Sequence, residues 1–180
     1  TRISRRKSQP RCCSKLEHLT QHGAVQLVVA CQGTLKAFDP SKGTPLWNCA
    51  TDITWYMVPS AVSHGGIVYS LGGRSGVAGL AVKAGGSGDV TSSHRLWTSL
   101  KGSNVTSPIY HEGHLYFMHE NRGVALCLRA DTGEVVYEER LATNDLRDGS
   151  VFNAAPVPDK VNSRLLIRSD KVLYAIGTGQ

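Results

Sequence analysis

The chain has 180 residues, 41% hydrophobic and 19% charged, with a formal net charge of +6. That apolar content suffices for a core and excludes wholesale disorder, and no apolar run approaches the ~20 residues that cross a bilayer as a helix. Six of the 20 basic residues (Arg2, Arg5, Arg6, Lys7, Arg11 and Lys15) lie in residues 1–15 without an acid, leaving 14 basic against 14 acidic residues in the rest. The body of the chain is thus neutral, and nucleic-acid binding is not expected of it.

Residues 1–23 read as a basic, solvated and disordered tail, and no apolar stretch follows the charges as it would in a secretory leader. From residue 24 onward the chain repeats itself. The first unit, near 24–49, contains Gly33-Thr-Leu-Lys-Ala-Phe-Asp-Pro-Ser-Lys-Gly43 and closes on Trp47. The second, near 59–98, opens on Ser60-Ala-Val-Ser-His-Gly-Gly66-Ile-Val-Tyr69, continues through Gly79-Leu-Ala-Val-Lys and a Gly/Ser-rich insertion, and closes on Trp97. The third, near 107–140, repeats the opening 47 residues later as Ser107-Pro-Ile-Tyr-His-Glu-Gly113-His-Leu-Tyr116. It then matches the first unit at an offset of 90, with Gly123, Gly133 and Tyr137 standing over Gly33, Gly43 and Trp47. A fourth, near 152–177, keeps Ala155-Pro-Val-Pro-Asp and Val172-Leu-Tyr-Ala-Ile.

Each unit reads as an antiparallel meander. In the third, strands are expected over Pro108–Tyr110, Leu115–Met118, Val124–Leu128 and Val135–Glu139, joined by turns whose glycines supply a positive φ. Four strands in about 40–50 residues is the signature of a β-propeller blade. The closing aromatics Trp47, Trp97 and Tyr137 are expected to fill the wedge between neighbouring blades. The fold class is all-β: a propeller of about four four-stranded antiparallel blades, a partial ring of a larger one with about seven or eight.

This pattern of Ser-Pro, Gly-x-hydrophobic-Tyr and Asp-x-x-x-Gly-x-x-x-Trp resembles the PQQ-like repeat, named after pyrroloquinoline-quinone dehydrogenases and shared by BamB-like envelope lipoproteins. The resemblance covers about residues 24–177, and Ser107–Leu141 is especially similar to long exported propellers of planctomycete-type bacteria. It implies that the chain is the C-terminal half of a larger bacterial propeller, or a truncated product. It also implies a periplasmic or cell-envelope location and protein partners of unknown identity. Half-rings left open would be expected to pair with each other or to be unstable alone.

For activity, the resemblance implies two readings: a non-enzymatic BamB-like scaffold or interaction module, and a fragment of a PQQ-dependent dehydrogenase that would need PQQ with calcium. A sensor or sugar-binding propeller domain is a third. Under the scaffold reading no cofactor, metal or catalytic residue is expected. The adjacent Cys12–Cys13 resembles the vicinal disulfide of the quinoproteins only in being adjacent, and Trp55 is a bare candidate for stacking under a quinone.

Other motifs have plainer explanations. His111-Glu-Gly-His114, with His64 and His119 nearby by repeat geometry, invites a metal. It sits on a hairpin turn, however, and lacks the i, i+4 facing of a helical zinc site. Gly72-Gly-Arg74-Ser-Gly76-Val-Ala-Gly79 lacks the following helix that a phosphate loop needs and reads as an inter-strand turn. Asn104-Val-Thr106 is a glycosylation sequon at the entry to a blade. Asp52, Asp145, Asp148 and Asp170 are scattered turn acids. Five cysteines (Cys12, Cys13, Cys31, Cys49 and Cys127) give neither a zinc spacing nor a complete disulfide framework. Cys31 and Cys127 lie in strand patterns, where a free thiol is a small buried hydrophobe.

Overall fold

The computed structural model describes residues 17–21, 24–54, 57–73, 76–119, 123–140, 157–159, 164–168 and 173–176. Blade 1 is built from β1 (Glu17–Gln21), β2 (Ala24–Cys31), β3 (Thr34–Phe38) and β4 (Pro45–Ala50). Blade 2 holds β5 (Val62–His64), β6 (Ile67–Leu71), β7 (Gly79–Lys83) and β9 (Arg95–Ser99). Between β7 and β9 lie the two-residue β8 (Gly88–Asp89) and the one-turn helix α1 (Thr91–His94). Blade 3 is β10 (Ile109–His111), β11 (His114–His119), β12 (Val124–Arg129) and β13 (Val135–Arg140), and blade 4 shows β14 (Val157–Asp159), β15 (Arg164–Arg168) and β16 (Leu173–Ile176). Strands pair antiparallel with their sequence neighbours inside every blade, and the blades do not close into a ring.

The turns that carry this meander repeat in detail. In blade 1 the amide of Asp39 donates to Thr44 O at 2.9 Å and that of Gly43 to Asp39 O at 2.8 Å. Ninety residues on, Arg129 donates to Glu134 O and Gly133 to Arg129 O, both at 2.9 Å. The third and fourth strands also share an irregularity, between Ala37 and Phe38, Ala81 and Val82, and Cys127 and Leu128. In each case the residue before it faces the closing aromatic: Ala37 opposite Trp47, Ala81 opposite Trp97, Cys127 opposite Tyr137. This register makes Lys36, Leu80 and Leu126 equivalent positions.

The cores lie between blades rather than within them. Alternation along each strand gives every blade two apolar faces, and each face needs a neighbouring sheet. One core joins Val28, Ala30, Leu35, Ala37 and Trp47 of blade 1 to Val68, Leu80 and Val82 of blade 2. The next joins Tyr69, Leu71 and Ala81 of blade 2 to Leu115, Phe117, Leu126 and Leu128 of blade 3.

One expectation needs correction, and one element has no sign in the sequence. The segment set aside as tail contributes β1, paired with β2 from Glu17 opposite Val28 to Gln21 opposite Ala24, so blade 1 begins before residue 24. The Gly/Ser-rich insertion of blade 2 is not a plain loop: β8 pairs in parallel with β4, Gly88 opposite Trp47 and Asp89 opposite Asn48. Blade 1 thereby gains a fifth strand. Val90 N donates to Asn48 O at 2.9 Å and Ala50 N to Thr91 Oγ1 at 2.8 Å, fastening this strap across the outer edge of blade 1. A sheet edge covered in this way is closed to further strand pairing.

Candidate functional site

The repeat's polar residues are used at the joints between blades. The amide of Ser60 donates to the hydroxyl of Ser107 at 2.8 Å, so the opening serines of two successive units bond to each other. The segment leaving blade 1 carries Asp52, which meets Arg95 of blade 2 at 2.5 Å. The segment leaving blade 2 carries Lys101, which meets Glu138 of blade 3 at 2.5 Å. The two joints use opposite signs for the same task. Such half-exposed pairs each contribute about 0–1 kcal/mol, so they select the neighbour more than they hold it.

The signature residues sort by place. Gly33, Gly43, Gly66, Gly113, Gly123 and Gly133 all have positive φ, between 56° and 79°. Trp47 is buried in the first inter-blade core and its indole N–H donates to Gln26 Oε1 at 2.8 Å. Trp97 packs against the second core and donates to Ala130 O of blade 3 at 3.0 Å. Tyr69 belongs to the same core, with Trp97 at 6.2 Å and Tyr110 at 5.9 Å between ring centroids. On the far face of blade 3, burial and then the Cys127 thiol push the Tyr116 hydroxyl up. Burial, Cys127 and Tyr116 push Tyr137 up to about 12.

The described histidines do not gather into one site. His64 stacks on Tyr110 at 3.9 Å and 12°, joining blades 2 and 3. His114 Nδ1 lies 2.8 Å from Glu112 O within its own exposed turn, while His111 is 3.9 Å from the Glu112 carboxylate. Glu112 and Gly113 of that turn both have positive φ, 45° and 79°. Among the described residues no three His, Cys, Asp or Glu side chains stand close enough to hold a metal ion.

Gly72–Gly79 connects β6 to β7, and Gly72 N donates to Ala78 O at 2.9 Å. Asn104 of the sequon is buried, at 8% exposure, and Thr106 Oγ1 donates to Met118 O, so the folded chain does not present this asparagine to a glycosyltransferase. Cys49 and Cys127 are free and buried, and burial raises both thiols. Cys31 is buried, as its strand pattern implied, and it is disulfide-bonded. Spacing held no sign of it, because pairing depends on which strand ends the fold brings together. Trp55, Arg74, Asp145, Asp148, Asp170 and the Cys12–Cys13 pair lie outside the described residues.

One face of blade 1 is covered by no other described residues. Phe38, Lys36 and Thr34 on β3, with Pro45, Leu46 and Asn48 on β4, line an open groove of 630 Å³ on the side of blade 1 turned away from blade 2. The sequence reading passed over Lys36. The signal that singles it out is the repeat alignment itself, which sets a lysine where the third unit has Leu126.

Neither a protein-family model nor a curated protein matches the chain. Solved structures do. BamB from Moraxella catarrhalis superposes with a TM-score of 0.58 at 18% identity, over 82% of this chain and 44% of that one. A europium-containing methanol dehydrogenase gives 0.58 at 12%, over 86% and 38%. Hsv2 from Kluyveromyces lactis gives 0.55 at 11%, over 90% and 48%. The chain spans less than half the length of each of these proteins. Its fold is that of a β-propeller, of the kind that BamB and the methanol dehydrogenase share.

Proposed function

We propose that this chain is a non-enzymatic propeller scaffold whose blade faces and outer strands make protein contacts. The observation that carries this reading is the surface of blades 2 and 3. Leu96 and Leu100 at β9 and Val135 and Val136 on β13 are 43–76% exposed. Polar side chains of the repeat are meanwhile engaged in the blade joints. Apolar side chains held open on rigid strands suit protein partners. The likeness to BamB supports the reading at the level of fold. No described helix is long and apolar enough to cross a membrane.

The reading is tested by placing a photocrosslinker at Val136 or Leu100 in cells. Crosslinks to a discrete protein are expected, lost from the Leu100 probe on Val136→Glu and from the Val136 probe on Leu100→Glu. Crosslinks to nothing, or an unchanged pattern in the variants, count against it.

The likeness to the methanol dehydrogenase favours a second reading, a segment of a quinone-dependent dehydrogenase. The described residues do not fit that group. Calcium with PQQ calls for a convergent set of oxygen donors, and the described carboxylates are dispersed into turns and joints. Asp39 caps its own turn through Ser41, Asp89 holds Thr91, Asp131 meets Arg129, and Asp52 and Glu138 are tied across the joints. No step through a quinone is derived.

A further inference from the structure

We propose that the open face of blade 1 docks an acidic, apolar polypeptide segment through Lys36. This rests on the scaffold reading and names the chemistry of one partner surface. The strand register supplies the first half of the argument. Residues of blade 2 and blade 3 that face the preceding blade include Val68, Leu80 and Val82, and Leu115, Leu126 and Leu128, every one of them 0–3% exposed. Their counterparts in blade 1, by the same pairings, are Leu27, Lys36 and Phe38. All three are only partly buried. Two keep the apolar character of a covered face and the central one is a cation.

The second half is charge. The joint between blades 1 and 2 and the joint between blades 2 and 3 each carry one cross-blade ion pair, Asp52 with Arg95 and Lys101 with Glu138. Lys36 is the one charged residue lining the groove, and it makes no hydrogen bond or ion pair among the described residues. A lysine stem lies along apolar surface while its ammonium seeks a partner. A segment offering a carboxylate among aliphatic side chains would complete the face as its neighbours complete theirs. The chain's own first fifteen residues are not that complement, since they carry six basic side chains and no acid. Strand addition at residues 47–48 of the outer edge is also closed, because β8 occupies it, so the partner lies on the face of the sheet.

The test uses the full isotope-labelled chain titrated with an acetylated peptide of alternating valine and glutamate, and with its valine–lysine counterpart. Saturable shifts of the Thr34, Lys36 and Asn48 amides are expected with the glutamate peptide alone, weakening as salt rises. Lys36→Glu should weaken binding by about tenfold or more. Lys36→Leu, which installs the residue of the other blades, should keep the fold and lose the salt dependence. Equal binding of the lysine peptide, or indifference to Lys36→Glu, overturns the proposal. So does light scattering that shows a dimer whose formation itself moves these amides, because a second copy is then the occupant. So does groove binding that appears only after residues 1–16 are removed. The scaffold reading stands or falls separately, on the Val136 crosslinks, which Lys36→Glu leaves unchanged.

Discussion

The indole of Trp97 in blade 2 lies against the backbone of Gly133 in blade 3, so closely that a methyl group on that glycine would meet the ring at 2.5 Å. One residue closes a strand, the other turns a hairpin ninety residues after its counterpart Gly43, and together they seat two blades. Gly133 also has a φ of +75°. Gly133→Ala therefore suffers both overpacking and left-handed strain, and a loss of about 2–4 kcal/mol in urea unfolding is expected. Gly43, with a φ of +66° and nothing within 4 Å, has the strain without the clash. Gly43→Ala should cost about 1–2 kcal/mol. Equal losses at the two sites would show that the Trp97 contact does not shape the joint.

Ser70 is fully buried on β6 and its hydroxyl has no hydrogen-bond partner among the described residues. The equivalent residue of blade 3 is Phe117, which is apolar and buried. An unsatisfied buried hydroxyl costs about 1–3 kcal/mol, so Ser70→Ala is expected to raise the urea midpoint by the equivalent of about 1 kcal/mol. A fall in midpoint would mean that the hydroxyl is satisfied after all.

Alkaline pH should unfold this chain early. Burial raises the thiols of Cys49 and Cys127 above 9.0 and the phenols of Tyr69, Tyr116 and Tyr137 above 10.0, Tyr137 to about 12. Unfolding releases all five to ionise at their ordinary values, so above those values the unfolded state holds fewer protons than the folded one. Stability is then full below about pH 9 and falls as pH rises towards 12. Tyr137→Phe removes its share, at most about 2–3 kcal/mol, of the loss between pH 10 and 12. Urea midpoints of wild type and variant, measured at pH 7, 9 and 10.5, should diverge only at the highest value.

Thiol chemistry gives an independent check on the blade cores. Cys49 and Cys127 are 0% and 1% exposed. Iodoacetamide should label neither in native buffer and both in urea without reductant, while Cys31 should stay unlabelled until a reductant is added. Native labelling of Cys127 would show that the far face of blade 3 opens to solvent.

Much of this architecture was legible because the repeat is written in turn chemistry. Gly33 with Gly123, Gly43 with Gly133, and Tyr69 with Tyr116 lie at constant offsets, and a propeller needs such residues at such spacing. Other elements left no local trace. Gly88–Asp89 is too short for periodicity and pairs with β4 some forty residues away. Glu17–Gln21 follows a basic stretch and lacks the apolar content that marks a strand. The ion pairs Asp52–Arg95 and Lys101–Glu138, and the disulfide at Cys31, depend on which ends the fold brings together, which spacing does not encode. The groove was hidden for a different reason: Lys36 is an ordinary residue of its strand until the blades are stacked and its equivalents prove to be buried leucines.

The central claim, a contact scaffold rather than a redox enzyme, is tested most directly by equilibrium dialysis of the folded chain against PQQ, with calcium and separately with a lanthanide. An alcohol and an electron-accepting dye are then added. The account predicts no saturable retention of the quinone and no dye reduction with either metal. Stoichiometric retention followed by alcohol-dependent dye reduction would contradict it.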